Sequence, residues 1–478
     1  MKWDISNVHI ISRLGQHIVL DVETNSIHLL DEASVQVLKA LVNAQGNAEA
    51  LLPTLSKEGR IIMEELKALK DAGTLFTPAA MPLGFTMPEG VKSLCLNVAH
   101  DCNLACAYCF ASQGNFGGSP ALMTPEVGRK AVDFLISHAQ DRPLLEMDFF
   151  GGEPLMAMDT VQEVVRYGRK KAAEVHKAIK FSLTTNGVQL NQEIRDFLIQ
   201  NEISLVLSLD GRKEVNDRMR YTKNHKPSYD VIVPHFKAVS QVTGDYVVRG
   251  TYTRYNLDFS QDVKSFLEEG FDHLSVEPVV CSKDTDFALR KEDLPVLEKE
   301  YERLARLYLK RVEEGRPFDF FHFNVDLEGG PCLYKRVSAC GAGFEYLAVT
   351  PEGDIYPCHQ FVGIESFKMG TLDEGIVRKD LAEEFHATHV YSKEACQSCW
   401  ARYHCSGGCH ANAWEFNQNI KQPYVLGCEI QKIRLELAIT VQVMLLLYHR
   451  YNMVTETSES ARADQVAKEK IQKLLKNT

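Results

Sequence analysis

No stretch of this sequence stays apolar for long, and no excess of basic residues runs through it. The most apolar late segment, LAITVQVMLLLYH, falls short of the roughly 20 residues a membrane-crossing helix needs and reads as a buried helix. The opening MKWDISNVHI lacks the basic segment and apolar core of a secretion signal. Lys and Arg number 53 against 64 Asp and Glu, a net charge of -11. That balance argues against non-specific binding to nucleic acid or to an anionic membrane, which would demand a basic face. A cytoplasmic protein is expected. Its 478 residues exceed what one hydrophobic core holds and imply several domains.

A disulfide framework is also missing, although there are thirteen cysteines. Structural disulfides are rare in the cytosol, and the distribution does not suit one. Three cysteines lie between Cys102 and Cys109, eight between Cys332 and Cys428, and Cys95 and Cys281 stand apart. Thiols clustered at short spacings in such a chain point to metal.

Residues 1–75 read as a separate module. HIISRLG, HIVLDVET and SIHLLD are short alternating segments between turn signals, which predicts a three-stranded meander. EASVQVLKALV behind an N-cap at Asp31, AEALLPTL, and GRIIMEELKALKDAG closed by Gly73 predict three helices and a winged-helix-like unit. Residues 76–90, with Pro78, Pro82 and Pro88, read as a linker. Over 91–319, six strand candidates (SLCLNVAH, LLEMDFF, IKFSLTT, ISLVLSL, DYVVRGTYT, HLSVEPVV) alternate with amphipathic segments. This rhythm predicts an α/β fold of right-handed βαβ units, a partial (β/α)6 barrel with its chemistry at the C-terminal strand ends. Residues 320–452 are loop-rich and cysteine-rich before the apolar helix, and 453–478 form a polar tail.

Just after the first barrel strand stands Cys102-Asn-Leu-Ala-Cys106-Ala-Tyr108-Cys109. Three thiolates at C-x3-C-x2-C can hold three irons of a 4Fe–4S cluster and leave the fourth open to a ligand. A zinc site would want a fourth ligand, from His100 or elsewhere, and usually C-x2-C pairs. The spacing resembles that of the radical S-adenosylmethionine (SAM) superfamily. In that family SAM chelates the open iron and is cleaved to a 5′-deoxyadenosyl radical. Gly151-Gly152-Glu153-Pro154, ending the second strand, is similar to the family's GGEP motif, in which Glu153 would hydrogen-bond the SAM ammonium. Thr185 and Asn186 after the third strand, and Ser208 and Asp210 after the fourth, would add SAM contacts. Arg220 would meet its carboxylate, and Tyr108 lies within the cofactor loop. Ser, Asp and Gly also cap and turn chains everywhere. Glu277, ending the sixth strand, would either face the site or pair with a neighbouring cation.

A second constellation runs Cys340, Cys358, Cys396-x2-Cys399-x5-Cys405-x3-Cys409 and Cys428. It resembles the SPASM domain of peptide-modifying radical SAM enzymes, which holds two auxiliary 4Fe–4S clusters. The resemblance assigns Cys340, Cys358 and Cys409 to the first and Cys396, Cys399, Cys405 and Cys428 to the second, three clusters in all. Cys332 would be the eighth ligand, or else the first cluster keeps an iron open to a substrate thiolate. Zinc ribbons fit the x5 and x3 spacings less well. Cys95 and Cys281 read as buried or incidental.

The N-terminal module resembles the RiPP recognition element of enzymes that modify ribosomally made peptides. There a leader peptide adds to the third strand beside the third helix, here Ser26–Asp31 and Gly59–Lys70. A winged-helix DNA-binding domain is the bland alternative, kept alive by Lys57, Arg60, Lys67 and Lys70 but opposed by the acidic chain. The domain order is similar to that of thioether-forming maturases. The stretches around Cys332 and Glu352-Gly-Asp-Ile-Tyr-Pro-Cys358-His-Gln-Phe-Val are close to the SCIFF peptide maturases. The resemblance implies a cysteine-rich precursor peptide as substrate and flavodoxin or ferredoxin as electron donor. Sulfatase maturases, quinohaemoprotein-type maturases and a metal-stabilised peptide-binding scaffold are the alternatives.

Overall fold

The computed structural model describes residues 2–79, 89–327 and 333–456, so most of the expected linker, Cys332 and residues 457–478 lie outside the described residues. At the N-terminus β1 (Val8–Arg13), β2 (Gln16–Asp21) and β3 (Ser26–Leu30) form the expected antiparallel meander. Leu14 and Gly15 both take positive φ in the two-residue β1–β2 turn, as a turn matching the strand twist requires. Asp31, Asn47 and Ser56 then cap α1 (Glu32–Asn43), α2 (Ala48–Leu51) and α3 (Lys57–Asp71) by accepting backbone N–H bonds from Ser34, Ala50 and Gly59.

The sheet of this module is buried on both faces. Val19 packs with Leu38, Leu41, Met63 and Leu66 of the helices, whereas its neighbours Ile18 and Leu20 pack with Ile439 and Val443 of the final helix. Side chains alternate across a strand, so the unbroken apolar run Ile18-Val19-Leu20 is what two buried faces demand.

The central unit is the expected parallel sheet. Strands β4 (Ser93–Ala99), β5 (Leu144–Gly151), β6 (Ala178–Thr185), β7 (Ser204–Ser208), β8 (Tyr246–Tyr252) and β9 (His273–Pro278) pair in sequence order. Between them run α4 (Pro125–His138), α5 (Met158–Glu174), α6 (Gln192–Gln200), α7 (Lys213–Met219), α8 (Tyr229–Ser240) and α9 (Phe259–Glu269), followed by α10 (Leu294–Glu313). The sequence reading names no helix between β7 and β8. There α7 is short and α8 carries Pro234, so neither leaves a long periodic signal.

The cysteine-rich region is joined to this sheet rather than separate from it. β10 (Asp319–Phe320) adds to β9, and after α11 (Leu333–Ser338) strand β11 (Tyr346–Val349) adds in parallel to β4 at the opposite edge. β12 (Asp354–Tyr356), β13 (Gly370–Thr371) and β14 (Gly375–Ile376) extend it antiparallel, giving eleven strands. Of the short helices α12 (Lys379–His386), α13 (Glu394–Gln397), α14 (Arg402–Cys405) and α15 (His410–Asn417), α13 carries Cys396 and α14 carries Cys405, whereas Cys399 and Cys409 lie in the turns between helices. The final helix α16 (Val425–Glu456) contains the apolar segment, with Leu437, Ala438, Ile439 and Val441 fully buried. Among the described residues no helix is long and apolar enough to cross a membrane.

Polar contacts lock the N-terminal module to the cysteine-rich region. Buried Arg402 donates to Glu23 Oε2 at 2.9 Å and to Asn7 Oδ1 at 2.7 Å. The His9 ring stacks on Trp400 with centroids 3.9 Å apart, and Arg13 pairs with Glu436 at 2.7 Å. Truncating Ile439 to Ala removes the apolar half of this joint and should cost about 2–4 kcal/mol. Thermal unfolding and limited proteolysis should show the N-terminal module released first.

Candidate active site and auxiliary cysteine groups

The loop after β4 brings Cys102, Cys106 and Cys109 together. Burial, with Glu153 and the neighbouring thiols, raises the Cys102 thiol to about 12; burial, with Asp210 and Cys109 and against Arg220, raises the Cys106 thiol to about 11. Such thiols have reason to ionise only on meeting a cation. The Leu104 N–H and the Asn186 side-chain amide point at Cys102 Sγ from 3.4 and 3.5 Å. Among the described residues, no group of three His, Cys, Asp or Glu is arranged to hold a single metal ion. Three thiols gathered as neighbours on one loop suit a cluster, whose irons each take their own ligand.

Gly151 and Gly152 are fixed by close backbone approach. A Cβ on Gly151 would lie 2.3 Å from the Ala99 carbonyl oxygen, and one on Gly152 would lie 2.0 Å from that of Asp101. The Gly152 and Glu153 N–H groups donate to those carbonyls at 2.7 and 2.9 Å. Gly114 (φ +101) closes the other side, because a Cβ there would strike both Cys102 Cβ and Gly152 Cα at 2.8 Å. The sequence reading missed Gly114, which carries no local motif.

Glu153 is buried, beside equally buried Pro154. It accepts from Thr185 Oγ1 at 2.6 Å, from the Asn186 N–H at 2.8 Å and from the Leu155 N–H at 3.1 Å. Burial pushes its carboxyl up to about 7 against those bonds. Asn186 donates to Asn103 Oδ1 at 2.7 Å, tying the end of β6 to the cysteine loop. Asp210, Tyr108 and Arg220 form one network: the Tyr108 hydroxyl donates to Asp210 at 2.6 Å and accepts from Arg220 at 2.9 Å. Asp210 also accepts from the Thr251 N–H at 3.0 Å, and burial raises it to about 6. In this structure Asp210 and Arg220 thus brace the aromatic ring between Cys106 and Cys109. The hydroxyl of half-buried Ser208 makes no side-chain hydrogen bond among the described residues; Ser208 pairs in register with exposed Arg249, which pairs in turn with Ser275.

Glu277 takes the paired alternative, accepting from His322 Nε2 at 2.8 Å and Arg434 Nη1 at 3.4 Å. Burial opposes its ionisation, and these two neighbours outweigh it, holding the carboxyl well below the usual range. Cys95 is buried in β4, and Cys281 meets Thr285 Oγ1 at 3.3 Å; neither joins a thiol group.

The later cysteines gather in two neighbourhoods. Cys340, Cys358 and Cys409 act on one another electrostatically. So do Cys396, Cys399, Cys405 and Cys428, with burial lifting Cys396 and Cys428 to about 11. His359, next to Cys358, reaches back to the barrel. Its ring lies 4.9 Å from that of Phe150, which precedes Gly151, and 5.7 Å from that of Phe110, which follows Cys109.

An open parallel barrel with a C-x3-C-x2-C loop at its mouth, followed by seven clustered cysteines, defines an enzyme class built on iron–sulfur chemistry. Residues 96–243 match the family model of the radical SAM superfamily, and residues 340–400 match that of SPASM, an iron–sulfur cluster-binding domain. The chain therefore carries a radical SAM domain followed by a SPASM domain, with SAM and iron–sulfur clusters as cofactors. The cysteine-type anaerobic sulfatase-maturating enzyme of Clostridium novyi is 24% identical over 344 residues, 67% of this chain and 89% of its own. The mycofactocin maturase MftC of Mycolicibacterium smegmatis is 28% identical over 333 residues, 66% of this chain and 78% of its own. The solved structure of native anSMEcpe with bound AdoMet and Kp18Cys peptide shares the fold. Its TM-score is 0.62 at 21% identity, over 74% of this chain and 98% of that one.

Gly152→Ala should be more damaging than its size suggests, because the clash is with backbone. The SAM-responsive cluster signal should vanish in electron paramagnetic resonance, with iron retained at the C-terminal cysteines.

Proposed function

We propose that this protein is a maturase of a ribosomally made, cysteine-rich peptide, in which it installs thioether links between cysteine sulfur and carbon. The observation that carries the reading is the N-terminal module and its placement. β3 pairs with β2 alone within its sheet, so its other edge offers N–H and C=O groups to an added strand. A cavity of about 480 Å³ opens beside that edge. It is lined by Asn25–Leu29, Leu327 and Val443, Leu446 and Leu447 of α16, whereas the expected α3 residues are not part of its wall. A leader held there would lie against the helix that carries Cys428.

When bound, SAM on the cluster of Cys102, Cys106 and Cys109 supplies the radical that removes a hydrogen from the peptide. The chain's own residues then have separable tasks. Glu153 holds a cationic amino group, Ser208 offers a free hydroxyl at the lumen, and Tyr108 keeps the cysteine loop in shape through Asp210 and Arg220. The auxiliary cysteines would hold clusters that can take up a surplus electron from the peptide, linked to the barrel mouth by His359 and Phe150. The similarity to sulfatase-maturating enzymes favours a second reading, oxidation of one Cys or Ser without crosslinking. The recognition module distinguishes the two, because a leader-guided peptide needs it.

The test is the mass of a co-expressed cysteine-rich peptide. Loss of hydrogens in pairs, with each pair blocking one cysteine from alkylation, is the expected result. Loss of two hydrogens with every cysteine still open to alkylation, or replacement of one cysteine's sulfur by a carbonyl oxygen, favours the oxidase reading. Cys102→Ala should abolish SAM cleavage, whereas Cys358→Ala should spare cleavage and stop crosslinking, as product assays will tell.

The Glu153 carboxyl gives a pH dependence. Its protonation midpoint in the free protein is raised to about 7, and an ammonium ligand binds only the ionised form. SAM affinity should therefore fall as pH drops below about 7, by up to about tenfold per pH unit. Glu153→Gln should bind SAM weakly and without that slope, measurable by equilibrium binding.

A further inference from the structure

Lys393 is buried to 1% exposure, an unusual place for a lysine. Its Nζ donates to the Gly407 carbonyl at 2.8 Å, and no carboxylate pairs with it among the described residues. Taking an ammonium out of water costs several kcal/mol unless an anion meets it. Burial lowers the Lys393 pKa, and thiols of both auxiliary groups counter that: Cys396, Cys405 and Cys428 of the second, Cys340 and Cys409 of the first; His389 and His410 also lie in its field. Gly407 is the middle of the three residues that separate Cys405 of one group from Cys409 of the other. It holds a left-handed φ of +87°, so the carbonyl that Lys393 grips is part of a turn that glycine permits.

We propose that Lys393 is the shared counter-charge of the two auxiliary clusters, a positioning residue that raises their reduction potentials. This rests on the reading that both cysteine groups hold clusters. The physics is one-directional. Adding an electron to a thiolate-bound 4Fe–4S cluster makes it more negative, and a fixed cation in a dry surrounding favours the more negative state. With the ammonium in place, the clusters take an electron from the substrate more readily. Nothing is transferred to or from the lysine itself.

The experiment is a redox titration of anaerobically reconstituted protein, followed by electron paramagnetic resonance, with Lys393→Met, Lys393→Gln and Lys393→Arg. Met and Gln should leave total iron at the wild-type level. They should lower the reduced fraction of at least one auxiliary cluster about tenfold at fixed potential, equal to about 59 mV for a one-electron couple. The radical SAM cluster should not shift, and Arg should keep the wild-type values. Gln retains a donor for the Gly407 carbonyl, so a Gln protein with full iron and unshifted potentials overturns the assignment. Loss of iron in both neutral variants with recovery in Arg makes the lysine a structural tie and overturns it too. Wild-type protein with iron for the barrel loop alone would remove the clusters themselves, a failure distinct from unshifted potentials in loaded protein.

Discussion

Backbone touches backbone where β5 ends against the loop that leaves β4, and the site depends on that contact. Gly151 and Gly152 lie so near Ala99 and Asp101 that no side chain fits, and the N–H groups of Gly152 and Glu153 bind the facing carbonyls. Glu153 then reaches across to Thr185 and Asn186 at the end of β6, and Asn186 returns to Asn103 and Cys102. Three strand ends are thereby closed into one ring around the first cysteine. A ligand at the mouth meets a rigid rim rather than three independent loops, which is what precise placement of a reactive atom needs.

Much of this was legible in the sequence because the signals are local. Strand runs, the Gly-Gly-Glu-Pro turn, helix caps at Asp31 and the cysteine spacings need only a few neighbouring residues to be read. What escaped reading is long-range. β11 pairs with β4 across some 250 residues, so a region without periodicity turns out to finish the barrel sheet. Asp210 and Arg220, expected to meet a cofactor, both meet Tyr108, because a half-buried phenol between cysteines needs partners that spacing does not announce. Lys393 sits in Ser-Lys-Glu-Ala-Cys396, a stretch that reads as solvent-facing; only the fold shows that its neighbours are thiols.

The domains are fused rather than strung together, and the reason is area. The N-terminal sheet has an apolar face that its own three helices leave open, and α16 has an apolar side that the barrel leaves open; each covers the other. Arg402 makes the joint specific, since a buried guanidinium tolerates few arrangements and finds Glu23 and Asn7 only in this one. Arg402 and Trp400 flank the cysteines at 399 and 405. Whatever shifts β1 or the turn after β2 therefore acts on the second thiol group through two or three contacts.

The molecule has an order that its parts alone do not suggest. From the barrel loop, Phe110 and Phe150 reach His359 beside the first auxiliary group; Lys393 and the Gly407 turn lie between that group and the second; His9 on Trp400 leads from the second to the N-terminal module. Under the proposed function, the two ends of this line are where the radical forms and where the leader peptide docks. A cation shared by both thiol groups couples them, because a change of charge or position at either group is felt at the other across a dry interior.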